Sequence, residues 1–255
     1  MYSYMHALLS DKSGDAVFTC FGLWHIGYIL VFLGCIALVY LRFRHKPPEE
    51  KRRAARAFLH IAFGLYIADF FLMPFAYGEI DIEKLPFHIC TAACVGCFLS
   101  CHTRFFEKVR MQLALLGLIS NLVYLFYPAG LMWYQIHPLS YRVAQTLAFH
   151  AAMSGYGLLT LAFDEEGLSL KNWKKDLAVL AALLLWAVVG NLLYNGEAGT
   201  YSHMFNWFFV VRDPFGLFDA RVTPYLMPFL NLALFSLAEL LAYGIYKSLK
   251  RKTAA

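Results

Sequence analysis

Long apolar runs, broken by short polar and mostly basic segments, set the pattern of the chain. A bilayer core of about 30 Å needs about 20 mostly apolar residues in a helix. Seven stretches meet or approach that length: Val17 to Leu41, Ala57 to Tyr77, Leu85 to Cys101, Met111 to Tyr127, Tyr141 to Phe163, Leu177 to Tyr194 and Pro224 to Tyr246. The third and fourth are the shortest, at 17 residues each. Lipid offers no partner for unpaired backbone N–H and C=O groups, so open strands are excluded and each stretch is expected to be helical. The predicted fold is all-α: a polytopic bundle of seven transmembrane helices making one membrane domain over residues 1–255. The first 16 residues are polar and the first apolar run is too long for a signal h-region, so no cleavable signal is expected.

Composition agrees with this. Hydrophobic residues make up 60% of the chain and charged ones 15%, against about 25% charged in a soluble domain. That excludes an ordinary cytosolic enzyme, a disordered chain and a nucleic-acid binder. The 22 Lys and Arg are unevenly placed: seventeen fall in 42–56, 102–110, 164–176 and the tail from Lys247. Only Lys12, Lys84, Arg142, Arg212 and Arg221 fall in the alternate segments. The positive-inside rule therefore predicts an outer N-terminus and a cytoplasmic C-terminus, in a multi-pass protein of the plasma membrane. The loop from Asn195 to Thr223, with Trp207, Phe208, Phe209, Phe215 and Phe218, is expected either to lie in the membrane interface or to fold back as a lid.

Polar residues inside spans are costly, so each needs a partner or a job. On the predicted depths, His25, Asp69, His88, Cys90, Asn121, Gln145, His150, Asn191 and Asn231 lie at mid-depth or in the outer half. The inner half offers Glu239 and the peripheral His60. This asymmetry predicts a polar cavity opening outward. The competing expectation is interhelical hydrogen bonding, at roughly 1 kcal/mol per Asn, Gln or His.

Cys90, Cys94, Cys97 and Cys101 recur at i, i+4, i+7 and i+11, on one helix face. Eleven residues of helix span roughly 16 Å, too far for four thiolates to share one metal. A small-residue packing stripe with Ala93, Gly96 and Ser100 is expected instead. No H-E-x-x-H spacing is present, and neither a metal nor a cofactor is predicted. A thiol near a helix N-terminus has its thiolate favoured by the dipole, which makes Cys90 a candidate nucleophile if a histidine serves it as base. Two other seven-helix classes are weakened. The last span carries no lysine for a retinal Schiff base, and no span has the arginine ladder of a voltage sensor.

The segment Leu85-Pro86-Phe87-His88-Ile89-Cys90 resembles the LPLHLC-type helix opening of the YwaF family, bacterial relatives of the eukaryotic transmembrane protein 164 acyltransferase. Gln145 to His150 is similar to the family's Q-x4-H segment. Asn191 with Gly199-Thr200-Tyr201 resembles its N…GTNY stretch. Gly117 and Tyr127-Pro128 match a glycine and a T-P-D ending, with Ala129 in place of the aspartate. The resemblance covers about Leu85 to Tyr246. It implies acyl transfer between phospholipids and carries His88 and His150 as site residues. The eukaryotic nucleophilic cysteine falls at Phe87 here, so the resemblance does not supply a nucleophile. A more distant likeness to the androgen-induced lipid ester hydrolases, which pair threonine with histidine, brings in Thr91.

The expected function is a membrane-embedded lipid acyltransferase or ester hydrolase acting on a phospholipid or acyl-lipid. His88, His150 and Cys90 are the candidate catalytic residues. Asn121, Gln145, Asn191, Tyr201, His203 and Asp69 are the candidate substrate-binding ones. Two alternatives come from other classes. One is a small-molecule or lipid transporter using Asp69, His25 and His150. The other is a non-catalytic receptor or assembly factor using the outer aromatic loop.

Overall fold

The computed structural model describes residues 16–77, 82–132, 135–163, 168–194, 206–211, 217–219 and 221–254. Among these the protein is helical throughout: α1 (Leu23–Phe43), α2 (Pro48–Tyr77), α3 (Ile89–Ser100), α4 (Arg104–Glu107), α5 (Arg110–Phe126), α6 (Ala129–Met132), α7 (Tyr141–Phe163), α8 (Trp173–Tyr194) and α9 (Thr223–Ala254). Short 3-10 turns occupy Ile82–Lys84, Leu170–Asn172 and Trp207–Phe209. Six segments are long and apolar enough to cross a membrane: Leu23–Phe43, Pro48–Phe75, Arg110–Met132, Tyr141–Phe163, Leu170–Tyr194 and Thr223–Ser248. The third predicted span differs. Its helix is the 12 residues of α3, roughly 18 Å long, and Leu85 to His88 enter it as an irregular turn.

Helix limits follow local chemistry. Pro48 opens α2, where a missing N–H and a fixed φ cost nothing. The polar stretch from Glu49 to Arg56 is helical as well, which lengthens α2 beyond its apolar run. Asp219 precedes α9 and prepares its start: its backbone carbonyl accepts the Thr223 hydroxyl at 2.8 Å and its carboxylate accepts the Arg221 N–H at 2.8 Å.

The chain divides into two compact units. The first comprises residues 1–84 and 120–164. Within it α7 packs along α2 and against α1. Gly155 makes the approach possible: a Cβ there would stand 2.6 Å from the Phe58 ring and 3.2 Å from Ile36. A core of Phe18, Ile29, Leu125, Leu131, Ile136, Val143, Leu147 and Ala151 fills the unit. Phe18 is pinned by its N–H donating to the Ile136 carbonyl at 2.8 Å.

The second unit comprises residues 85–119 and 165–255. Its core joins Ile89 of α3, Leu116 of α5, Leu180, Leu184 and Ala187 of α8, and Phe208 and Val210 beyond it. Cys94 and Cys97 are fully buried beside Ala93 and Gly96, and Gly96 lets Leu113 of α5 approach to 3.1 Å of where a Cβ would stand. The cysteine face is thus a packing face, and none of the six cysteines is in a disulfide. Phe87 lies on Gly190 of α8, where a Cβ would fall 2.4 Å from the ring. Trp186 stacks on the same ring at 4.8 Å.

Gly190→Ala therefore forces the Phe87 ring off its seat, at about 1–3 kcal/mol. Gly34→Ala, at a position with nothing near the new Cβ, is the matched control. Thermal unfolding in detergent should show a lowered Tm for the first variant and none for the second.

Candidate functional site

Each unit holds a group of the predicted polar side chains, and each group grows from a local structural need. In the first unit His150 lies on α7, 5% exposed. Its Nδ1 is 2.7 Å from Asn121 Oδ1, and its ring stacks on Tyr124 with centroids 3.9 Å apart and planes 17° from parallel. Asn121 and Tyr124, three residues apart on α5, present one face to it. Asn121 directs its NH2 group to Ser120 Oγ at 3.4 Å, so its oxygen faces the histidine. An acceptor oxygen requires a donor, which places the neutral ring's proton on Nδ1 and its lone pair on Nε2. The amide bond and the Tyr124 stack together fix the plane of this buried imidazole. One turn later, Ser154 donates to the His150 carbonyl at 2.8 Å.

The other predicted residues of this unit are tied into the scaffold. Gln145 donates Nε2 to the Leu65 carbonyl of α2 at 3.3 Å and accepts the Thr146 hydroxyl at 3.3 Å. His25 accepts the Phe21 N–H at Nδ1 (3.0 Å) and reaches the Leu125 carbonyl with Nε2 at 2.9 Å. Both ring nitrogens are thereby committed to the backbone. Asp69, 3% exposed, pairs with Lys84 Nζ at 2.8 Å, while Tyr66 donates its hydroxyl to the Lys84 carbonyl at 2.9 Å. This pair fastens the Ile82–Lys84 turn to α2.

In the second unit His88 is the residue before α3, with extended backbone (φ −73°, ψ 145°). Its Nδ1 accepts the Phe208 N–H at 3.3 Å, so the neutral ring carries its proton on Nε2. That is the opposite tautomer to His150, and it makes His88 a donor at its outer nitrogen. Asn191 binds the peptide of Trp207 on both sides: Nδ2 donates to the Trp207 carbonyl at 3.0 Å and to that of Ala187 at 2.8 Å, and Oδ1 accepts the Trp207 N–H at 3.2 Å. Asn231 of α9 donates to the carbonyls of Phe208 and Phe209 at 3.0 and 3.2 Å.

These three side chains hold a strained turn. Phe208 and Phe209 have φ of 58° and 53°, left-handed values that cost roughly 1–3 kcal/mol each in a residue with a Cβ. Trp207 and Phe208 are buried and Phe209 is more open. Of the two expectations for the outer aromatic loop, the described part folds inward onto its own unit. The opening of α3 is anchored from the same side, since Trp186 donates its indole N–H to the Pro86 carbonyl at 2.8 Å. Cys90 is half-buried in the first turn of α3. Thr91 donates its hydroxyl to the His88 carbonyl at 3.1 Å.

Tyr201 and His203, with the Gly199-Thr200-Tyr201 motif, lie outside the described residues. Among the described residues no three His, Cys, Asp or Glu come together as a metal-binding group. Sequence reasoning did not assign Tyr124 or Asn231 to a site. Tyr124 carried a signal, standing one turn from Asn121 on the same face. Asn231 was visible as an intramembrane polar residue, but its partner is an irregular backbone that periodicity does not reveal.

Comparison with curated proteins and with solved structures finds no match. The model of the TMEM164 family matches residues 20–247, in agreement with the resemblance read from Leu85 to Cys90, Gln145 to His150 and Asn191. The chain is a multi-pass membrane protein that belongs to the TMEM164 family.

Proposed function

We propose that the protein is a phospholipid acyltransferase or lipid ester hydrolase of the plasma membrane, with His150 as its general base in a polar cavity of the outer bilayer half. The observation that carries this reading is the Asn121–His150 pair itself, a buried imidazole hydrogen-bonded to a side-chain amide and stacked on Tyr124. Family membership supports it, because the resemblance implies acyl transfer between phospholipids.

The step balances as follows. A hydroxyl of the acceptor lipid, or of water in the hydrolytic variant, adds to the ester carbonyl while His150 Nε2 takes its proton. The tetrahedral intermediate collapses, the bond to the departing lysolipid oxygen breaks, and the imidazolium returns the proton to that oxygen. Cys90, in the unit of residues 85–119 and 165–255, is the candidate for a covalent version, in which its sulfur displaces the lysolipid oxygen, takes the acyl group and passes it to the acceptor hydroxyl. His88, in the other unit, accepts the Phe208 N–H at Nδ1, which favours His150 over His88 as the base.

The proposal includes seven passes, with α3 and its irregular approach forming the third. It also sets the N-terminus outside and the C-terminus in the cytoplasm. A C-terminal reporter should then be active only in the cytoplasm, and activity only on the outer side reverses the orientation.

Activity is tested by acyl exchange between labelled phospholipids in proteoliposomes. His150→Ala should lower turnover by roughly 100-fold or more, the usual contribution of a general base. Asn121→Ala should lower it less, since the ring stays in place but is no longer oriented by the amide. Cys90→Ser separates the two versions: loss of a hydroxylamine-labile acyl-protein adduct marks the covalent one. Unchanged turnover in His88, Cys90 and His150 variants alike rejects the enzymatic reading.

A further inference from the structure

A second polar cluster lies in the unit made of residues 85–119 and 165–255, away from His88 and Asn191. Fifteen residues of α8, roughly 22 Å of helix, separate Asp176 from Asn191. Hydropathy puts Asp176 in a basic loop. The helix starts earlier, at Trp173, so Asp176 falls in the first turn of α8 and is 1% exposed. Glu239 of α9 is 0% exposed. On α9, Ser236, Glu239 and Tyr243 stand at i, i+3 and i+7 and share a face.

These groups meet. Tyr243 donates its hydroxyl to Asp176 Oδ2, and the Gln112 amide donates to the same carboxylate. Asp176 and Glu239 are near enough to repel each other. Lys175 attracts Asp176, yet its ammonium is given to the Lys108 carbonyl. Among the described residues, neither carboxylate is in an ion pair. What remains is mostly oxygen, apart from the indole N–H of Trp173. Asp176 Oδ1, both oxygens of Glu239, Gln112 Oε1 and Ser236 Oγ are buried oxygens without a hydrogen-bond partner.

Two unpaired carboxylates in an apolar bundle are strongly unfavourable unless positive charge joins them. A proton on Glu239 removes one charge and can serve one acceptor, leaving the other oxygens as they were. A metal cation serves all of them together. We propose that Asp176, Glu239, Gln112 and Ser236 bind a hard divalent cation, with calcium the best-matched ion. The donors are all oxygen, which selects hard ions over zinc or copper. Two carboxylates balance a double charge. Magnesium demands octahedral geometry and holds its waters, which suits a closed, protein-lined cluster poorly.

The test uses the purified full chain in lipid nanodiscs after chelation. Terbium replaces calcium as a luminescent probe, and Trp173, three residues before Asp176, sensitises it. The expected result is terbium emission on tryptophan excitation, displaced by calcium but not by magnesium or sodium, with a calcium-dependent rise in Tm. Glu239→Gln and Asp176→Asn should each weaken binding by about tenfold or more, since affinity follows ligand charge. Glu239→Lys brings a tethered ammonium beside Asp176, and should fold with a Tm indifferent to calcium. Absence of both emission and a calcium effect in the wild type overturns the proposal. So does a calcium affinity unchanged by Glu239→Gln, and a response to sodium alone overturns the divalent assignment. All these readouts are independent of acyl transfer.

Discussion

Backbone groups that cannot reach water must be satisfied inside the protein, and this constraint decides what most of the intramembrane polar residues do. Regular helices meet it by themselves. The structure departs from regular helix at two buried places in one unit, Leu85 to His88 and Asn206 to Val211, and at each the missing partners are side chains. Trp186 serves the Pro86 carbonyl. Asn191 serves both polar groups of Trp207, His88 the Phe208 N–H, and Asn231 two further carbonyls. A side-chain amide is chemically a peptide, and here it replaces one. The two left-handed phenylalanines are held because these bonds outweigh their strain.

The same accounting separates residues that the amino-acid sequence leaves equivalent. His25 and Asn191 spend their polar atoms on carbonyls and N–H groups, and Gln145 gives its NH2 group to a carbonyl. Asp69 is neutralised by Lys84. His150 is different in kind. Its partner is another side chain, Asn121, and its ring faces an aromatic ring. Scaffolding needs only that a hydrogen bond exist. The Asn121–Tyr124 face goes further and fixes both the plane of the ring and the partner of its Nδ1. His88, with the opposite tautomer, is suited to donate toward an acceptor.

Hydropathy made the six long helices legible, since twenty apolar residues in a row have few other uses. It misplaced their ends. The segment from Glu49 to Arg56 reads as a basic loop but continues α2, because Lys, Arg, Glu and Ala are good helix formers whatever their polarity. Asp176 reads as solvated for the same reason and is buried. Periodicity made the cysteine face legible as packing. The partnerships of Asn191 and Asn231 were not legible, because a strained turn sixteen residues beyond Asn191 has no spacing rule to announce it. The Asn121–His150 pair joins residues 29 apart in sequence, a tertiary contact that no local pattern encodes.

The short helix α3 bears on topology through charge. If α3 together with Leu85 to His88 crosses, the basic segments 42–56, 102–110, 164–176 and the tail all face one side. If it does not cross, 102–110 and everything after it are reflected, and three of those four segments move away from the first. Ten of the seventeen clustered Lys and Arg sit in those three segments, so the non-crossing arrangement sets the basic residues against one another across the bilayer. A 12-residue helix is too short to span the hydrocarbon alone. The irregular approach lengthens its path, and irregular backbone is tolerated at such depth only where protein lines it. Phe87 on Gly190 and the Trp186 bond to Pro86 supply that lining. The motif that opens α3 is therefore well suited to carry the chain through the membrane by a route that is partly not helix.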